Sequence, residues 1–121
     1  MELTTIFLLM VFCHILDDFV LQAPCLCNLK QKAFWRKNIS ETNYKYDYIV
    51  ALIMHAFSWS FMIMLPCIIF NTFNPILFLV NVAIHAFVDD LKANKGKINL
   101  IIDQTIHLFQ IFITWIICFN I

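Results

Sequence analysis

The chain has 121 residues, of which 62% are hydrophobic, with one glycine and a formal net charge of zero. Its mean hydropathy is +0.81. So short a chain cannot hide that much apolar surface in a core of its own, which disfavours a water-soluble domain, and zero net charge gives no reason to expect a nucleic-acid partner.

One domain over 1–121 is expected, all-α and integral to a membrane. Hydropathy places four spans, at 3–21, 48–70, 75–91 and 98–119. The first opens with "MELTT", which has no basic leader and no small-residue cleavage site behind it, so a cleavable signal peptide is not expected. It then runs through "LTTIFLLMVFC" into "HILDDFVLQ", where His14, Asp17 and Asp18 are costly in hydrocarbon.

The connection at 22–47 is polar and basic, and Phe34 and Trp35 suit a short interfacial helix at headgroup level. It also holds Cys25 and Cys27, a pair without a partner pair at zinc-site spacing. "NTFN" turns the chain between the second and third spans, and "KANKGK" between the third and fourth. Every Lys and Arg lies in or beside the first or third connection: Lys30, Lys32, Arg36, Lys37, Lys45, Lys92, Lys95 and Lys97. With alternating spans, both connections share one side. The positive-inside rule makes that side cytoplasmic and places both termini on the non-cytoplasmic side of a four-helix bundle.

Each span carries one histidine: His14, His55, His85 and His107. Counted from the cytoplasmic end of each span, their depths agree to about one helical turn, so one layer can hold all four. Three have an aspartate four residues away, on the same helix face: His14 with Asp18, His85 with Asp89, and Asp103 with His107. In each pair the aspartate lies one turn nearer the cytoplasm. Asp17 stays within reach of the stripe, and Asp90 points away from His85. Gln22 extends the first stripe toward the cytoplasmic mouth. Asn81 and Lys92 extend that of His85, and Asn99, Gln110 and Thr114 lie near that of His107.

A single His–Asp pair reads as a structural strut. Four histidines and three aspartates in one layer exceed what struts need, and inward-facing His and carboxylate stripes are how helical bundles hold metal. The candidate ligands are His14, Asp18, His55, His85, Asp89, Asp103 and His107. Imidazole with carboxylate suits zinc first, then manganese or iron, as one ion or two. Asp18, Asp89 or Asp103 is the candidate general base.

The ordered set of "HILDDFVLQ", Lys30, "HAFVDDLK" and "DQTIH" resembles the family of small bacterial and phage membrane proteins called domain of unknown function 3307, from about Phe12 to Trp115. It is similar, more distantly, to membrane-bound metal-dependent hydrolases. The resemblance implicates His14, Asp18, Gln22, Lys30, His55, His85, Asp89, Lys92, Asp103, Gln104 and His107, and with them a bacterial inner membrane. Gln22, Lys30, Lys92 and Gln104 are assigned to substrate binding. Lipid surrounds the chain, and a lipid-linked or phosphorylated substrate fits the lysines. Positive-inside anchoring explains those lysines as well.

Three functions compete on these residues. One is a metal-dependent hydrolase open to the cytoplasmic leaflet. Another is a transporter or ion relay, which the apolar run "FMIMLPCIIF" argues against. The last is a structural or partner-binding membrane protein.

Overall fold

A computed structural model describes residues 2–38 and 44–119. Residues 39–43 of the basic connection lie outside them. Among the described residues there is no strand. The chain runs as α1 (Leu3–Ile15), which continues without a break into a π-helical segment (Leu16–Leu21), then α2 (Pro24–Leu29), α3 (Lys32–Asn38), α4 (Asp47–Ile69), α5 (Pro75–Ala93) and α6 (Leu100–Phe119).

Three of these helices are long and apolar enough to cross a membrane: Leu3–Leu21, Asp47–Ile69 and Leu100–Phe119. The remaining long helix, α5, carries Asp89, Asp90 and Lys92 in its last turns, and these charges keep it out of that set. The basic connection forms two short helices where one was expected. No residue of either is buried, as suits segments lying over the ends of the longer helices.

Local chemistry accounts for the boundaries. Asn74 caps α5 by accepting hydrogen bonds from the backbone N–H groups of Ile76 and Leu77 at 3.0 and 3.1 Å, and Pro75 occupies the first helical position. Asn99 does the same for α6, accepting from Ile102 N–H at 2.9 Å. Gly96, in the turn between α5 and α6, has φ +57°, a left-handed conformation that glycine adopts without steric cost.

α1 packs on α4 and α6, and α5 packs on both α4 and α6. Their shared apolar core includes Ile6, Met10, Trp59, Ile63, Met64, Cys67, Phe78, Ile111 and Cys118. The burial pattern is inverted relative to a soluble protein. Ile76 and Ile101 are 75% and 76% exposed, whereas all four histidines are buried. Apolar side chains outside and ionisable ones inside are stable when the surrounding solvent is lipid.

Candidate metal centre

The four imidazoles meet in one layer. Ring centroids are 6.0 Å apart for His14 and His107, 4.2 Å for His107 and His85, and 5.1 Å for His85 and His55. Trp59, fully buried, sits among them. Its ring stacks on His85 at 4.2 Å and meets His14 edge-on at 5.7 Å. Trp59 is not among the site residues expected from the sequence. The available signal was its spacing, four residues after His55 on the same face of α4.

Among the described residues, two groups of side chains could hold a metal ion. Asp18, His55 and His85 form one; His85, Asp89 and His107 form the other. Within each group the ligand atoms lie within 4.8 Å of one another. Two ligands on one tetrahedral ion, with bonds of about 2.1 Å, stand about 3.4 Å apart, so small side-chain rotations close either group. The donor set is imidazole and carboxylate, which suits zinc, manganese or iron.

His85 and His107 give the clearest sign of a missing partner. Both are fully buried, and none of their four ring nitrogens makes a hydrogen bond. His107 Nε2 lies 3.4 Å from Asp103 Oδ1 and 3.9 Å from Asp89 Oδ1, and His85 Nε2 lies 3.9 Å from Asp89 Oδ2. Burying a polar atom without a partner costs a few kcal/mol, and a cation among these nitrogens and carboxylates removes that cost.

His14 and Asp103, also assigned as ligands from the sequence, stand outside both groups. His14 Nδ1 accepts a 2.8 Å hydrogen bond from the Trp59 indole N–H, and its Nε2 lies 3.1 Å from Gln104 Oε1. Both nitrogens are therefore engaged by protein. Asp103 Oδ2 accepts from Lys92 at 2.6 Å and from Gln104 at 3.1 Å, leaving Oδ1 toward His107.

The π-helical segment alters the role of Asp17. Its wider turn carries both adjacent aspartates inward, where a regular α-helix rotates neighbours apart by about 100°. Asp17 is buried; its Oδ1 accepts from Ser58 Oγ at 2.7 Å, and its Oδ2 lies 3.7 Å from His55 Nδ1. The other His55 nitrogen, Nε2, faces Asp18 Oδ1 at 3.4 Å. Asp17 Oδ2 thus stands beside His55 Nδ1 without a hydrogen bond between them.

Asp18, Gln22, Lys30, His55, Asp89, Lys92 and Gln104 line a cavity of about 190 Å³ over the layer, together with Phe19 and Leu100. All residues assigned to substrate binding are among them. Lys30 is buried and donates to Asp89 Oδ2 at 2.6 Å. The Gln22 amide completes its bonding when its oxygen accepts from Lys30 Nζ at 2.5 Å and its nitrogen donates to the Asp18 carbonyl at 3.2 Å. Asp90 points away, as its count predicts, and pairs with Lys95 at 3.1 Å.

A polar seam continues past the histidines. Asn81 donates to Thr114 at 3.0 Å, and Gln110 donates to Asn81 Oδ1 at 2.9 Å, all three buried between α5 and α6.

Residues 6–121 match the family model described as protein of unknown function (DUF3307). The chain belongs to this family. The match covers both candidate groups, the cavity and the seam. No curated protein and no solved structure matches the chain.

Proposed function

We propose that this chain is an integral membrane metal-dependent hydrolase whose four long helices form a bundle across the bilayer. The site opens on the cytoplasmic side, where the lysines and arginine concentrate. The observation that carries the reading is the pair His85 and His107, fully buried with no hydrogen bond at any ring nitrogen and with Asp89 beside both. Charge points the same way. Asp17, Asp18, Asp89 and Asp103 share this layer with Lys30, Lys92 and the four histidines, and with the histidines neutral the excess of two negative charges is what one divalent ion neutralises.

His85, Asp89 and His107 would hold one ion, and a second would rest on Asp18 and His55, because a neutral His85 has one lone pair and serves one ion only. The chemistry such an ion supplies is Lewis-acid polarisation of an ester or phosphoester and activation of water. Asp18, on the cavity wall, would accept the proton that water gives up as its oxygen bonds to the acyl carbon or phosphorus, and that proton would pass to the departing alcohol oxygen as the ester bond breaks. Gln22 and Gln104 orient the substrate beside it.

Elemental analysis tests the reading. Wild type and His85→Ala are purified in detergent, equilibrated in turn with zinc, manganese and iron, and freed of unbound ion. Wild type retains one or two ions per chain and His85→Ala retains none. Equal metal content in the two proteins, or none in wild type, ends the proposal.

A second reading, an ion relay, draws on the Asn81–Gln110–Thr114 seam. Past Thr114, however, α6 presents Cys118 and α4 presents Cys67, both buried in the apolar core. Proton or metal flux in liposomes that is lost in Asp103→Asn would favour the relay over the hydrolase.

A further inference from the structure

We infer that the cavity over the metal centre takes the phosphate monoester headgroup of a membrane lipid, admitted sideways between the π-helical segment and the start of α6. The inference rests on the hydrolase reading and names its substrate class.

The cavity is chemically divided. Its inner wall is charged, with Lys30 and Lys92 beside Asp18, His55 and Asp89. Its rim is apolar and outward-facing: Phe19 is 59% exposed and Leu100 is 53% exposed. A soluble phosphate ester has no use for such a rim. A lipid does, because its tail can lie along Phe19 and Leu100 while its headgroup turns inward.

Size agrees. The cavity measures about 190 Å³, and a water occupies about 30 Å³ of liquid, so roughly six waters fill it. A phosphate group fits in that space and a whole lipid does not, which leaves the tail in the bilayer.

Donors remain for an anion. An ammonium has three N–H donors. Lys30 gives one to Asp89 and one to Gln22, which leaves a third. Lys92 gives one to Asp103, and its side chain is 37% exposed. Geometry selects the monoester. A monoester offers three unesterified oxygens to this inner wall while its single substituent leads out past Phe19 and Leu100, and a diester offers only two.

Calorimetric titration of the metal-equilibrated protein in dodecyl maltoside micelles tests this, with dihexanoyl phosphatidate, dihexanoyl phosphatidylcholine and inorganic phosphate as probes. Phosphatidate binds at least about tenfold more tightly than either of the others. Lys30→Met weakens phosphatidate about tenfold, whereas Lys45→Met, at an exposed position away from the cavity, leaves it unchanged. Leu100→Gln, on the exposed rim, weakens phosphatidate and leaves inorganic phosphate as in wild type; it carries the test should Lys30→Met not fold. Equal binding of phosphatidate and phosphatidylcholine overturns the inference. So does inorganic phosphate binding as tightly as phosphatidate, which would make the ligand a soluble one, or a Leu100→Gln protein that binds like wild type. Metal content measured on the same samples separates the two proposals. Phosphatidate selectivity in metal-free protein keeps the lysine cavity and removes the hydrolase. Bound metal without selectivity overturns the lipid inference alone.

Discussion

At the scale of single residues, the site is a set of buried polar atoms whose partners are themselves buried, so removing one partner exposes the cost of the other. Lys30 and Asp89 are the clearest case, with side chains 10% and 7% exposed. Lys30→Met leaves Asp89 charged and unpaired in a low dielectric, and is expected to cost about 3–5 kcal/mol in metal-free protein. Lys30→Met combined with Asp89→Asn removes both charges and recovers most of that loss. Unfolding in mixed micelles of increasing sodium dodecyl sulfate fraction, followed by circular dichroism, measures both; a double variant as unstable as the single one contradicts the pairing. Trp59→Phe is a milder change. It keeps an aromatic ring against His85 but deprives His14 Nδ1 of its 2.8 Å donor, at an expected cost of about 1–3 kcal/mol by the same measurement. Metal content should survive this change, because His14 lies outside both ligand groups.

At the scale of elements, helix periodicity made most of the site readable and packing between helices hid the rest. The His–Asp spacing of four residues put His85 with Asp89 and Asp103 with His107 on shared faces, and the structure finds each pair in contact. Asp17, three residues after His14, is within reach of that stripe by count, but its contacts with Ser58 and His55 depend on how the π-helical segment sits against α4. Distances between helices were equally out of reach. That His14 spends both nitrogens on Trp59 and Gln104 depends on how α1 packs on α4 and α6, and nothing within α1 encodes it. The element ends are more legible, since they rest on local chemistry. Asn74→Ala removes the cap of α5 and should cost about 1 kcal/mol in the same unfolding assay, with Asn74→Ser retaining most of the stability. A loss confined to noise in Asn74→Ala would mean that packing of α5 on α4, and not its cap, sets where the helix begins.

At the scale of the whole molecule, the complete segregation of lysine and arginine predicts a single orientation, and the chain carries its own reporters for it. Cys25 and Cys27 are exposed on α2, in the basic connection, whereas Cys13, Cys67 and Cys118 are buried. A membrane-impermeant maleimide can therefore reach only Cys25 and Cys27 before the protein is denatured. If the basic connections face the cytoplasm, the reagent labels inside-out vesicles and leaves right-side-out vesicles or intact cells unlabelled. Cys25→Ser combined with Cys27→Ser abolishes the signal in both and confirms its source. The same experiment bears on α5, which carries Asp89, Asp90 and Lys92 in its last turns. An added cysteine in the short connection before Asn74 lies at the start of α5, and Cys25 lies before α4. If α4 crosses the bilayer, the two positions label from opposite faces. An added cysteine at Lys95 then labels from the same face as Cys25 only if α5 crosses back. Labelling of Lys95→Cys from the face opposite Cys25 would place both ends of α5 on one side, and the polar layer, whose second metal group depends on His85 and Asp89, could not lie within a bundle of four crossing helices.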